Sequence, residues 1–234
     1  MPIQDFDETI KQFVERSQQY KSAEKSWEHC YKAFLDVRHH FSSPQLDEQT
    51  RLSLCLHLAC YLASWGMYRN SLIRQFDYTI HEETINILFE PQYNKLWGTS
   101  VNNADSLLIG ELAVRIGETY HNAKQKRTDT IPAPTTTLIT KILMGTMACI
   151  PAYDRYFAIG IGEYIKNKQI NGITPICKAI NFEPTNQIDK QKIANSIALL
   201  KDIWAEINTQ YTMYPEMKLI DMYFWEKGFK NPKK

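Results

Sequence analysis

A chain of 234 residues with 44% hydrophobic, 23% charged and 12% aromatic residues can bury a sizeable core and does not read as disordered. Its 27 Lys and Arg against 26 Asp and Glu leave a formal net charge of +1, which excludes a global electrostatic pull toward nucleic acid or an anionic membrane surface. Five cysteines, Cys30, Cys55, Cys60, Cys149 and Cys177, show no CxxC spacing, which excludes a zinc ribbon or redox dithiol and reads as reduced core residues of a cytoplasmic protein.

Phe6, Ile10, Phe13, Val14 and Tyr20 recur at helical spacing, and Trp27, Cys30, Tyr31, Phe34, Val37 and Phe41 form a second apolar stripe. The opening, "MPIQDFDETIKQF", carries acids where a secretory signal needs a basic region and an apolar run. At "FSSPQLDEQ", Ser43 as N-cap and Pro44 at the first helical position launch a helix over 44–65 that Gly66 ends. That helix is apolar nearly all round, which predicts a central place in the bundle. Its apolar window, "LSLCLHLACYLASWG", contains His57 and falls short of the roughly 20 residues a membrane span needs.

Residues 67–75 and 82–90 predict shorter helices, the second stopped by Pro91. Residues 103–120 place Leu108, Leu112, Ile116 and Tyr120 on one face, and "HNAKQKRTDTIPAPT" (121–135) follows as a polar, basic loop where any subdivision of the chain would fall. Further helices are expected at 136–149, 154–166, 174–180 and 187–210, and a final one at 216–227 ends at Gly228. No segment shows sustained alternation of β-branched residues between hairpin turns. The fold class is therefore all-α: one domain over 1–234, a bundle of about ten helices around a buried central helix (44–65).

The stretch "KILMGTMACIPAYDRYF" (141–157) concentrates the chemistry. An apolar helix bearing Lys141 runs into Pro151, and Asp154 then opens the next helix between two tyrosines. A carboxylate there is an N-cap, or it is a charge held ionised by the helix dipole to stabilise a developing cation. A plain cap predicts that Asp154→Asn is mild, because Asn caps as well as Asp. Over residues 136–157 this arrangement resembles the helix-hairpin-helix DNA glycosylase superfamily, in which a lysine and an aspartate flank a flipped base. The resemblance implies a glycosylase-like helical core, a nucleic-acid partner, and Asp154 and Lys141 as catalytic residues. The family's glycine-rich hairpin is replaced here by "PAPTTTLITK".

Further pocket candidates surround that stretch. "LASWGMYRNS" ends a helix with Trp65, Tyr68 and Arg69, residues able to line a phosphate or base site. Asp221 sits among Met217, Leu219, Ile220, Met222, Tyr223, Phe224 and Trp225, so it needs a cation such as Arg155, Arg69 or Lys218. Arg115 and His121 have the spacing seen in HEPN ribonucleases, but Arg51 and His57 repeat that spacing in an apolar helix. "HEETI" lacks a second histidine, and the chain has no Walker loop, GxSxG elbow or dinucleotide fingerprint, so neither a metal nor a cofactor is implied. Nucleic acid would be met through local cations, Lys124, Lys126, Arg127 and the C-terminal lysines. A non-catalytic helical interaction protein, with Asp154 and Asp221 structural, is the alternative. Oligomeric state is not legible.

Overall fold

The computed structural model describes residues 3–40, 46–69, 71–127, 130–168 and 188–231. Among the described residues there are nine α-helices and no strand. They are α1 (Phe6–Ser17), α2 (Lys25–His40), α3 (Glu48–Ser64), α4 (Glu82–Leu88), α5 (Ser106–Gln125), α6 (Thr136–Thr146), α7 (Arg155–Lys168), α8 (Lys190–Trp204) and α9 (Glu216–Lys230). Short 3-10 turns occupy Leu72–Gln75, Tyr78–His81 and Pro91–Leu96. The all-α expectation stands, and one continuous apolar core runs from Phe6 in α1 to Trp225 in α9. Among the described residues no helix is long and apolar enough to cross a membrane.

Capping chemistry sets the boundaries. α3 starts at Glu48, after an extended Asp47 whose side chain accepts the Thr50 N–H at 2.8 Å. Ser43, Pro44, Cys177 and the expected helix at 174–180 lie outside the described residues. α3 ends as expected: Gly66 takes a φ of +70°, which lets the Met67 N–H reach the Leu62 carbonyl and the Gly66 N–H the Ala63 carbonyl, each at 2.9 Å. α5 continues through His121–Gln125, where polar side chains simply face water on its outer turns. α8 stops at Trp204, well before residue 210, and the chain after it is pulled across α1, where Asp7 accepts the Gln210 N–H at 3.2 Å and the Thr209 hydroxyl.

The central place does not belong to the helix expected at 44–65. α3 buries Leu54, Cys55, Leu58, Tyr61 and Leu62 but leaves Ser53, Leu56, His57 and Cys60 exposed, so Cys60 is also not a core residue. The most enclosed helix is α6, buried from Leu138 to Thr146, and the chain stays buried through Tyr153. Its polar residues disguise this in the sequence. Thr140 and Thr146 donate their hydroxyls back to the Thr136 and Ile142 carbonyls at 2.9 and 2.8 Å, Thr140 Oγ1 accepts the Tyr153 N–H at 2.9 Å, and Lys141 is paired. A polar group satisfied inside the core carries no large burial penalty.

A second buried polar cluster joins the 3-10 turn at Tyr78–His81 to α5. His81 is fully buried and its Nδ1 lies 2.6 Å from the Tyr120 hydroxyl. Burial pushes its pKa down to about 3, so the folded ring stays neutral where an unfolded histidine titrates near 6.5. Between those values the unfolded chain binds the extra proton, so stability is lost as pH falls from about 6.5 toward 3. His81→Gln removes this linkage. Urea unfolding at pH 6, 5 and 4 should show the wild type losing about 1.4 kcal/mol per pH unit relative to the variant. Parallel pH profiles would exclude the linkage.

Candidate functional site

The site forms where α6 ends and α7 begins. α6 gives way after Thr146 to a buried turn in which Ala148 adopts a φ of 51° and its N–H returns to the Leu143 carbonyl at 3.0 Å. Such a left-handed residue without glycine costs roughly 1–2 kcal/mol and holds only where packing over-determines it. The turn directs Cys149–Ala152 back along the bundle and delivers Asp154 to the side of α6 that carries Lys141.

Lys141 Nζ and Asp154 Oδ2 lie 2.8 Å apart, with side chains 5% and 14% exposed. The other carboxylate oxygen, Oδ1, accepts the N–H groups of Tyr156 and Phe157 at 3.1 Å each, so Asp154 is the N-cap of α7 as well as an ion-pair partner. The Lys141 ammonium also sits 4.8 Å from the centre of the Trp65 ring, a cation–π contact. The Trp65 indole N–H is buried without a hydrogen-bond partner. Its ring meets Trp225 edge-on at 5.8 Å, and Trp225 meets Tyr156 at 5.3 Å.

A second pair lies behind the first. Asp221 Oδ2 is 2.8 Å from Lys218 Nζ, and Oδ1 accepts the Ala152 N–H at 2.9 Å, two residues before Asp154. Lys218, one of the three cations expected for Asp221, is therefore its partner; Arg155 is exposed at the first position of α7. Lys218 Nζ rests between the Trp27 and Phe13 rings, 5.1 and 5.5 Å from their centres. Tyr61 lies in the field of both carboxylates. Burial first, then Asp221, Cys30 and Asp154, push its hydroxyl well above the usual tyrosine range. Four charges are thus closed into two ion pairs that clamp the 150–154 segment between α6, α7 and α9.

Of the residues singled out in the sequence, Lys141, Asp154, Trp65, Trp225 and Asp221 assemble here. Tyr68 is drawn instead toward His81, its hydroxyl 3.5 Å from Nε2. Arg69 lines an adjacent cleft of 370 Å³ between Gly66–Leu72 and Pro132–Leu138, and Leu138 in that cleft is one helical turn before Lys141. Arg115 is a structural tie: it grips Glu90 through two nitrogens at 2.5 and 2.9 Å and donates to the Tyr93 hydroxyl at 3.0 Å, whereas His121 is exposed. Arg51 likewise pairs with Glu82 at 3.1 Å.

No family model, curated protein or solved structure matches this chain. What the site can do is read from its own geometry. Two further polar features had no local sequence signal. Glu226, 1% exposed, binds Arg16 at 2.7 and 3.1 Å from the opposite end of the chain. The Ser71 hydroxyl, in the wall of the Arg69 cleft, is buried with no partner.

Proposed function

We propose that the protein is a nucleic-acid-associated helical protein that binds phosphate groups through one end of the bundle and uses Lys141 and Asp154 structurally. The observation that carries this reading is a gathering of cations around the 3-10 turn Leu72–Gln75. Arg69 is exposed on the cleft wall, Arg74 is exposed on the 3-10 turn Leu72–Gln75, and Lys126 and Arg127 follow the end of α5. Arg127 reaches the same turn, donating to the Gln75 carbonyl at 3.3 Å with its guanidinium 5.5 Å from the Phe76 ring centre. Asp77, two residues beyond that turn, accepts the Thr79 N–H at 2.8 Å. A chain of net charge +1 with its cations gathered in this way meets phosphates locally.

Base excision through a lysine nucleophile is not part of this reading. Such a lysine needs a lone pair facing its substrate, and Lys141 Nζ is committed to Asp154 and to the Trp65 face. Fluorescence anisotropy with labelled single- and double-stranded oligonucleotides at 50 mM salt tests the binding. The expected dissociation constant is in the nonspecific range of about 10⁻⁴–10⁻⁶ M, and the affinity should fall steeply with added salt. The charge reversals Arg74→Glu and Arg127→Glu together should weaken it by about tenfold or more. Absence of binding to every oligonucleotide at low salt would replace this reading with that of a non-catalytic protein-interaction module.

A further inference from the structure

A groove of 650 Å³ opens between α2 and α3, and none of the residues that line it belongs to the site at α6 and α7. Residues three and four apart share one face of a helix, so α2 supplies His29, Lys32 and Asp36 to one wall and α3 supplies Gln49, Ser53 and His57 to the other. All six are exposed. Cys30, early in α2, lies in the field of Cys60, late in α3, so the two helices run antiparallel. His29 and His57 therefore sit toward the same end of opposite walls, with Lys32 one turn from His29.

Three of the six histidines are engaged by the fold: His40 with the Asp36 carbonyl at 2.7 Å, His81 with Tyr120 at 2.6 Å and His121 with Gln125 at 3.0 Å. The side chains of His29, Lys32 and His57 have no hydrogen-bond or ion-pair partner among the described residues. Asp36, the one carboxylate in the lining, lies one turn beyond Lys32 and away from the histidine end. Cleavage of an RNA strand needs a base for the 2′-hydroxyl proton, an acid for the departing 5′-oxygen, and a cation beside the phosphate oxygens on which charge builds. Histidine serves in either of the first two roles, since an imidazole changes protonation near neutral pH, and a lysine serves in the third. The volume falls within the roughly 300–1,000 Å³ of small-molecule sites, room for the reacting phosphate and its nucleotide.

We propose that this groove cleaves RNA, with His29 and His57 as the general acid–base pair and Lys32 on the phosphate. One imidazole takes the proton of a 2′-hydroxyl as its oxygen bonds to the adjacent phosphorus. The bond from phosphorus to the 5′-oxygen breaks, and the other imidazole, entering protonated, gives its proton to that oxygen. The products are a 2′,3′-cyclic phosphate and a 5′-hydroxyl, and proton exchange with water restores both rings. Gln49 and Ser53 offer hydrogen bonds to the strand from the α3 wall. No other reactant enters the balance, and DNA, which lacks the 2′-hydroxyl, is not a substrate. The proposal rests on the nucleic-acid reading, since a strand must first be bound.

The test incubates the full chain in EDTA with a single-stranded RNA, with DNA of the same sequence, and with uridine 3′-(4-nitrophenyl phosphate), whose leaving group departs without an acid. The RNA should be cut to ends carrying a 2′,3′-cyclic phosphate and the DNA left intact. His29→Ala and His57→Ala should each slow RNA cleavage by about a hundredfold or more, and Lys32→Ala by about tenfold or more. Circular dichroism should be unchanged, because all three side chains are exposed. On the nitrophenyl ester the variant that lacks the acid should recover most of the wild-type rate, while the variant that lacks the base stays slow. RNA that binds in anisotropy but is not cut would overturn the cleavage and leave the nucleic-acid reading standing. Turnover of RNA and ester with no binding detectable by anisotropy would support the groove and overturn binding by the Arg74 and Arg127 cluster; neither binding nor turnover would overturn both. Cleavage abolished by EDTA, cleavage retained in full by the folded histidine variants, or equal rates of the two variants on the ester would also overturn the acid–base pair.

Discussion

Replacing Asp154 by Asn should destabilise the protein by about 3–5 kcal/mol, the usual cost of removing one partner from a buried ion pair. As an N-cap alone the residue would lose about 1 kcal/mol or less, because the Asn oxygen can still accept the Tyr156 and Phe157 N–H groups. The difference comes from Lys141. Its side chain is 5% exposed, and an amide cannot neutralise it. Urea unfolding at pH 7 measures the loss directly, and a thermal melt should fall by roughly 10 °C for a chain of this size. A loss under about 1 kcal/mol would return Asp154 to the role of a simple cap.

The second large effect is expected where α7 and α9 cross. A Cβ on Gly228 would overlap the Tyr156 carbonyl, and one on Gly160 would overlap the Phe224 carbonyl, so the two backbones touch through paired glycines. Aromatic rings lock the crossing on either side, with Phe157 against Phe224 at 5.9 Å and Tyr164 against Phe224 at 5.6 Å. Backbone cannot yield as a side-chain end can. Gly228→Ala should therefore cost at least about 4 kcal/mol, in the rare class of severe single substitutions. Gly162, on α7 with open space around its Cβ position, is the internal control. Gly162→Ala should be neutral or stabilise by up to about 1 kcal/mol, since alanine is the better helix former. Equal effects at the two positions would mean that the helices do not cross in contact.

That crossing also explains a misreading of the sequence. Gly228 reads as a helix stop, yet α9 passes through it to Lys230 because the residue is needed for its size and not for its backbone freedom. The apolar stripes made the helices and the all-α class legible, since periodicity is a local property. Rank within the core is not local. α3 looks central by composition but leaves Leu56 47% exposed, whereas α6, with Thr140, Lys141 and Thr146, is the enclosed one. Each of those polar residues finds its partner through folding. Of the candidate site, the identity of Lys141, Asp154, Trp65 and Asp221 was legible from chemistry that is unusual in apolar surroundings. Their closure into pairs was not, because Lys141 and Asp154 meet only through the left-handed turn at Ala148, and Ala152 meets Asp221 across 69 residues. The Arg16–Glu226 tie, 210 residues apart, had no sequence signature of any kind.

The central claim is that Lys141 and Asp154 form a closed ion pair that stabilises the fold. A double-mutant cycle on unfolding free energy, built from Lys141→Met, Asp154→Asn and the combined variant, tests it most directly. Methionine keeps much of the lysine stem, and the double variant leaves no buried charge at either position. The account predicts that each single variant is strongly destabilised and that the double variant recovers part of the loss, with a coupling energy of about 2–3 kcal/mol. Additive losses, with coupling below about 0.5 kcal/mol, would mean that the two side chains act independently and would contradict it.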